Sequence, residues 1–147
     1  MDFWRRLLIA AGLLCAAGRP GDPAAAAEVT VTVAGLRNGD GEVACALFAT
    51  EEGFLEAGRE LAGRRVPAAE GSVVVTFEDV PPGDYAVVAY HDENGNRELD
   101  RNILGLPIEG LGFSNDQRPS AFGPPTFDAV KVPVGAGPAA FTIEIHY

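Results

Sequence analysis

SVVVTFEDVPPGDYAVVAYH, residues 72–91, places two runs rich in valine and aromatic residues on either side of a Pro-Pro-Gly turn. Valine, phenylalanine and tyrosine favour strands, whereas proline fixes φ and glycine accepts a positive φ. The stretch therefore predicts two strands, residues 72–80 and 84–91, joined by a turn at Pro81–Gly83.

Runs that alternate apolar and polar residues flank this stretch on both sides, as expected of strands with one buried face. They predict further strands at residues 28–36, 42–49, 129–134 and 140–147. We expect the first two to pair as a hairpin, and Pro133 favours an edge position for the third. Residues 50–70 break the alternation and predict a short helical turn. Together the elements predict an all-β fold, an antiparallel immunoglobulin-like or prealbumin-like sandwich of about seven strands with one long loop.

The N-terminus has the order of a secretory signal peptide. A pair of arginines precedes the apolar run 7–17, which is too short to span a bilayer. An alanine-x-alanine cleavage site ends at Ala27. The sequence thus predicts a signal peptide over residues 1–27 and a single exported domain, periplasmic or extracellular, over residues 28–147. Lipidation at Cys15 and twin-arginine export are less favoured alternatives.

The predicted domain is strongly acidic. The full chain has a formal net charge of −10, and removal of residues 1–27, with three arginines and two aspartates, changes it to −11. Such a domain repels nucleic acid and anionic membranes, so we expect no nucleic-acid partner. No further apolar run is long enough to span a bilayer, so we expect no membrane insertion after signal cleavage. Cys45 is the only cysteine in this domain, which excludes an intramolecular disulfide and predicts an inert buried thiol.

The sharpest chemical signal is the loop HDENGNRELD, residues 91–100. Its oxygen-bearing side chains follow the spacing D-x-N-x-N-x-x-x-D, and Ca²⁺ takes about six to eight oxygen ligands from tightly curled loops. The spacing predicts a structural Ca²⁺ site formed by the side chains of Asp92, Asn94, Asn96 and Asp100 and the backbone carbonyl of Glu98. The alternative is a solvated loop of Asx turns, because asparagine, aspartate and glycine favour turns in any case.

This loop opens a long irregular region, residues 92–128, which is rich in glycine and proline. A loop of such length in a compact domain is functional, metal-organised or disordered. Its apolar side chains argue against disorder, because we expect them to pack against the domain. They are Ile103, Leu104, Leu106, Phe113, Phe122 and Phe127. The three phenylalanines form either an exposed ligand platform or a satellite core that anchors the loop.

Four residues in or beside this region are candidates for a ligand-binding surface: His91, Phe113, Ser114 and Asn115. A triad of Ser114, His91 and Asp116 would make the protein a small secreted hydrolase, but no strand–turn–helix context is predicted around the serine. A simpler interpretation is that Ser114, Asn115 and Asp116 bond the loop backbone.

We therefore expect a non-catalytic binding or accessory module with an unknown protein or envelope partner. The hydrolase that uses His91 and Ser114 stays open as a second class. A ligand-free structural or protein-interaction domain of the cell envelope is the third.

Several motifs of the sequence resemble those of a known family. They are YHDENGN at residues 90–96, GLGFSN at 110–115 and FGPP at 122–125. In this order they resemble the secreted bacterial family catalogued as domain of unknown function 2141 (DUF2141), and the likeness covers nearly the whole predicted domain. The resemblance implies export and the fold but no activity. VPPGDY, residues 80–85, is similar to hairpins of transthyretin-like and carboxypeptidase-regulatory-like sandwiches, which implies an accessory or binding module.

Overall fold

The computed structural model describes residues 26–147 as two packed β-sheets. The strands of this part of the chain are β1 (Ala27–Leu36), β2 (Glu42–Phe48), β3 (Ala62–Pro67), β4 (Gly71–Val80), β5 (Gly83–Asp92), β6 (Gly110–Phe113), β7 (Lys131–Val134) and β8 (Ala139–Glu144). A 3-10 turn covers Ser114–Asp116, and one helical turn, α1, covers Phe127–Val130. Nearly all of the predicted signal peptide lies outside the described residues. Between residues 26 and 147 no helix is long and apolar enough to cross a membrane.

One sheet has the strand order β4–β1–β8, and the other has the order β3–β2–β5–β6, with β7 also paired to β5. The predicted all-β sandwich is confirmed, although β1 pairs antiparallel with β4 and parallel with β8. The predicted hairpin of residues 28–36 and 42–49 is wrong, because β1 and β2 lie in different sheets. Both strands bury an apolar face in the same central core, so they meet across the sandwich rather than edge to edge.

The Pro-Pro-Gly segment carries the chain from one sheet to the other, since β4 and β5 are not partners. Tyr85 fixes this crossover: its hydroxyl donates to the carbonyl of Pro81 at 2.6 Å, and its ring is buried. Burial raises the pKa of Tyr85, so the hydroxyl stays a donor. A tyrosine that bonds backwards to the backbone in this way also stabilises corners in other sandwiches.

The strand β5 is buried on both faces, which explains its continuous apolar sequence. Tyr85, Val87 and Ala89 face the core between the sheets, whereas Ala86, Val88 and Tyr90 belong to a second apolar cluster. The long region supplies much of this second cluster, through Leu99, Leu111, Phe113 and Phe127. It thus covers the outer face of one sheet. The satellite-core interpretation holds for Phe113 and Phe127, but Phe122 is exposed.

The central core is uniformly apolar. Its members include Val29, Val31, Val33, Val43, Cys45, Leu47, Val75, Phe77 and Ile143. Cys45 is fully buried there, as predicted, and desolvation raises the pKa of its thiol to about 12. The thiolate is therefore scarce at neutral pH, which keeps this cysteine unreactive.

The strand β6 was not predicted, because its sequence, Gly-Leu-Gly-Phe, carries two residues that weaken strands. Both glycines are required by close packing on the end of β8. An added Cβ would overlap the side chain of Ile145 at Gly110 and the carbonyl oxygen of Glu144 at Gly112. Leu111 exchanges two backbone hydrogen bonds with His146, at 2.9 and 3.0 Å, so β6 joins the two sheets at this corner.

Gly112→Ala should lower the free energy of unfolding by about 1–3 kcal/mol, because the new methyl group overlaps the Glu144 carbonyl and forces β6 away from β8. Gly135→Ala is the matched control, since nothing lies within 4 Å of its added Cβ. Urea unfolding of both variants measures the effect. Equal midpoints would contradict the close approach of β6 and β8.

Candidate functional site

The acidic loop, residues 92–100, starts at the end of β5, and Asp92 shapes its first turn. The Asp92 carboxylate is fully buried and accepts hydrogen bonds from the backbone N–H groups of Asn96, at 3.1 Å, and Arg97, at 2.8 Å. Arg97 has a φ of 65°, the left-handed conformation that lets the chain curl around the carboxylate. Asp92 thus fixes the loop from inside.

A buried arginine of β3 neutralises Asp92. Arg65 Nη1 lies 3.1 Å from Asp92 Oδ2 and 3.5 Å from Glu42 Oε2, and Nη2 donates to the hydroxyl of Tyr90 at 2.6 Å. The register explains this meeting, because Ala44 of β2 pairs with Arg65 on one side and with Tyr90 on the other. Burial raises the pKa of Tyr90 to about 12, and the neighbouring arginine opposes this rise. Nothing in the residue spacing marks Arg65, since β3 was not predicted.

A second buried carboxylate, Glu109, holds the two ends of the acidic loop together. Its Oε1 accepts from the backbone N–H of Glu93 and its Oε2 from that of Asp100, each at 3.0 Å. Burial raises the pKa of Glu109, although the two backbone hydrogen bonds lower it. Glu109 lies outside the calcium-like spacing, so the sequence pattern did not point to it.

The side chains predicted to hold Ca²⁺ separate into two environments. Asn94 and Asn96 both direct their amide groups to Asp100, with Nδ2–carboxylate distances of 2.5 and 2.8 Å. Their Oδ1 atoms accept backbone N–H groups two residues ahead, at Asn96 and Glu98, which makes two successive Asx turns. Asp92 instead engages Arg65. Within residues 26–147 no group of three or more His, Cys, Asp or Glu side chains is placed to hold a metal ion.

His91 is a fully buried structural residue at the end of β5. Its Nε2 lies 2.7 Å from the carbonyl oxygen of Asp40, and its Nδ1 lies 2.7 Å from the hydroxyl of Tyr147. A carbonyl only accepts, so Nε2 carries the proton and Nδ1 accepts from Tyr147. The histidine thereby links β5 to the turn before β2 and to the C-terminal residue.

Ser114 fills a gap in the sheet. Along one edge of β5, β7 pairs with residues 83–86 and β6 with residues 88–91, which leaves Val87 without a strand partner there. The Ser114 hydroxyl accepts from the Val87 N–H at 3.0 Å and donates to the carbonyl of Val130 at 2.5 Å. Asn115 adds hydrogen bonds to the carbonyls of Ala129 and Lys131. Ser114 and Asn115 thus bond backbone groups, but these belong to β5 and to residues 129–131, whereas the expected partner was the backbone of the long region.

The residues of the hypothetical triad do not converge. Ser114 and His91 are occupied by the internal hydrogen bonds just described, and Asp116 pairs with His146 at 2.9 Å. The hydrogen bond from His146 lowers the pKa of Asp116. The predicted ligand surface is also wrong for His91, Phe113 and Ser114, because the pairing of β5 with β6 encloses them and leaves only Asn115 exposed.

The apolar arm, residues 102–108, follows the acidic loop and lies in solvent. The expectation that Ile103, Leu104 and Leu106 pack against the domain is wrong, since all three are exposed. Hydrogen bonds close the arm on itself: Asn102 N–H donates to the Leu106 carbonyl at 2.9 Å, and Ile108 N–H donates to the Asp100 carbonyl at 3.0 Å. The arm is thus a folded element that displays apolar side chains.

The fold and this region define a small β-sandwich module in which a hydrogen-bonded loop region covers one sheet. Residues 31–142 match the family described as "Uncharacterized protein conserved in bacteria (DUF2141)". The chain belongs to this family, and the resemblance drawn from its motifs is confirmed. No curated protein and no solved structure matches the chain.

Arg65→Met should lower the free energy of unfolding by about 3–5 kcal/mol, because it leaves the buried Asp92 charge without its cation. Arg59→Met is the control, since Arg59 is exposed and makes only a 3.8 Å ion pair with exposed Glu52. We expect a change within about 0.5 kcal/mol for the control in urea unfolding. Adding Asp92→Asn to Arg65→Met should recover part of the loss, and no recovery would contradict the electrostatic explanation.

Ser114→Ala should lower the free energy of unfolding by about 1–3 kcal/mol, because the Val87 N–H then lies buried without an acceptor. The Val87 amide should also exchange with deuterium faster than its neighbours in β5. Ser72→Ala removes an exposed hydroxyl from β4 and serves as the control. Unchanged exchange at Val87 would refute the gap-filling role.

Proposed function

We propose that this protein is an exported, non-catalytic binding or accessory module of the bacterial cell envelope whose acidic loop takes up Ca²⁺ as a structural ion. The observation that carries the calcium proposal is the convergence of the Asn94 and Asn96 amide groups on the Asp100 carboxylate. Two amides and a carboxylate provide the hard oxygen donors that Ca²⁺ prefers, once each amide turns its oxygen inward and releases the backbone N–H that this oxygen accepts in the Asx turn.

The proposed ligand set is narrower than the sequence pattern. Arg65 already neutralises Asp92, so this carboxylate is not free to serve a cation. The set that fits comprises the side chains of Asn94, Asn96 and Asp100 and the backbone carbonyl of Glu98, with water to complete the shell. Only one of these ligands is charged, which favours a weak site of about 10⁻⁴–10⁻³ M, as in extracellular modules.

A binding or accessory role is supported by what the polar residues already do. Ser114 and His91 form hydrogen bonds inside the fold. Asp92 and Glu109 accept backbone hydrogen bonds that shape the acidic loop. These contacts hold the loop as a rigid base for the exposed residues that follow it. Bound Ca²⁺ would neutralise Asp100 and add its binding free energy to the stability of the folded state.

Export is supported by the signal-peptide pattern of residues 1–27, and it would place the module in the periplasm or the medium. The acidic charge of the chain leaves a protein of the envelope as the expected partner class rather than nucleic acid.

Calcium at about ten times its dissociation constant should raise the melting temperature by about 3–8 °C relative to chelator, because only the folded loop assembles the ligands. Mg²⁺ should have a smaller effect, since it demands a tighter octahedral shell. Thermal unfolding of the protein recovered after export from a bacterial host measures both, and mass spectrometry of that sample reports whether its N-terminus is Glu28.

The variant that tests the ligands is Asp100→Asn, which should abolish the calcium-dependent shift. Glu98→Gln is the matched control, because it removes one negative charge from an exposed side chain of the same loop but keeps the backbone carbonyl. Asp92→Ala is a less specific test of calcium binding, because it also removes the carboxylate that pairs with Arg65. The proposal is wrong if calcium does not change the melting temperature of the original protein. It is also wrong if calcium raises the melting temperature of Asp100→Asn by the same amount.

A further inference from the structure

The apolar arm, residues 102–108, carries the densest set of exposed large apolar side chains in the described part of the chain. Ile103 is fully exposed at 102%, and Leu104, Leu106 and Ile108 are exposed by 78, 43 and 54%. Single exposed apolar side chains are common in soluble proteins, whereas a contiguous group marks a surface that contacts a protein, a ligand or a membrane. We propose that the apolar arm inserts shallowly into the surface of a zwitterionic phospholipid bilayer and attaches the module to it.

Most backbone N–H groups of the arm donate hydrogen bonds within the protein. Asn102 Oδ1 accepts from the N–H groups of Leu104 and Leu106, at 2.9 and 3.1 Å. Asn102 N–H donates to the Leu106 carbonyl, and Gly105 N–H donates to the Asn102 carbonyl, each at 2.9 Å. Unpaired backbone groups are costly in hydrocarbon, so the pairing of the Asn102, Leu104, Gly105 and Leu106 N–H groups lowers the cost of moving the tip out of water.

The charge distribution selects the kind of lipid. Residues 102–108 contain no charged side chain, and Arg101 stands at the base of the arm. The net charge of −10 repels anionic bilayers but not neutral ones. The expectation of no membrane insertion concerned anionic surfaces and membrane-spanning segments, whereas the contact proposed here is shallow and made with a neutral surface.

The size and composition of the arm argue against a protein partner or a second copy of the chain as its occupant. A stable protein interface takes about 20–30 residues from each side, and the arm offers the short segment 102–108. Its tip is aliphatic and lacks the tryptophan, tyrosine and arginine residues on which such interfaces depend. A bilayer needs no complementary pocket, so a small convex tip is sufficient. This inference does not depend on the calcium site.

Flotation with phosphatidylcholine vesicles tests the proposal on the protein recovered after export, in chelator so that calcium plays no part. The original protein should float with the vesicles, and Ile103→Ser combined with Leu104→Ser should reduce the partition coefficient at least about tenfold. Val74→Ser is the matched control, because Val74 is an aliphatic residue of β4 that is 57% exposed. Vesicles containing phosphatidylglycerol should bind less.

Tryptophan fluorescence tests the insertion of the arm in a second way and keeps a large apolar side chain at its tip. The chain has one tryptophan, Trp4, which lies in the predicted signal peptide. In the processed protein, a tryptophan introduced by Leu104→Trp is therefore the only one, and its emission should shift to the blue when phosphatidylcholine vesicles are added. The same change at Val74 should give no shift.

Three results would overturn the proposal. They are no flotation of the original protein, equal flotation of the double variant, or equal emission with and without vesicles at Leu104→Trp. Concentration-dependent self-association that the double variant abolishes, without lipid binding, would assign the arm to a second copy instead. The melting temperature of the double variant should equal that of the original protein, because both side chains lie in solvent.

Discussion

The burial of β5 on both faces is the constraint on which the rest of the molecule depends. A strand enclosed on one face by the sandwich core and on the other by a second apolar cluster needs a covering layer, and the long region supplies it. Because β5 is enclosed from Tyr85 to its end, its last two residues, His91 and Asp92, also lie inside the protein. Their polar groups must then find partners within the fold rather than in water.

That requirement explains the electrostatics of the acidic loop. Asp92 is paired with Arg65 and two backbone N–H groups, and Glu109 is paired with two more. A buried carboxylate without such partners would be protonated or would unfold its surroundings. The inner part of the loop therefore needs no bound cation, whereas the Asp100 carboxylate accepts hydrogen bonds from the side-chain amides of Asn94 and Asn96. The division into an inner and an outer set follows directly from where β5 ends.

Much of the fold could be predicted from the sequence because alternation reports burial. It identified the strands around residues 72–91 and the inward face of β1. Alternation does not report which strand is the neighbour, so β1 and β2 were placed side by side although they face each other across the core. It also fails for β6, where glycines that weaken an isolated strand are needed for contact with β8. The parallel pairing of β1 with β8 joins distant segments, which local patterns do not encode.

The candidate site was predictable to a lesser degree, for a related reason. Asparagine, aspartate and glycine spaced two apart predict a curled loop, and the loop curls as expected, but the same residues form Asx turns with or without a cation. Arg65 and Glu109 decide the loop geometry through long-range contacts that leave no local pattern.

The apolar residues of the long region show the same limit most clearly. Their composition implies burial, yet the fold divides them between two environments. Phe113 and Phe127 reach the outer face of β5, because β6 and α1 lie directly against it. Ile103 and Leu104 stand on an arm whose backbone bonds only to itself and to Asp100. An apolar side chain held out in solvent by a closed hydrogen-bond pattern adds nothing to the stability of the sandwich. Its presence is therefore better explained by what the arm meets outside the domain than by packing within it.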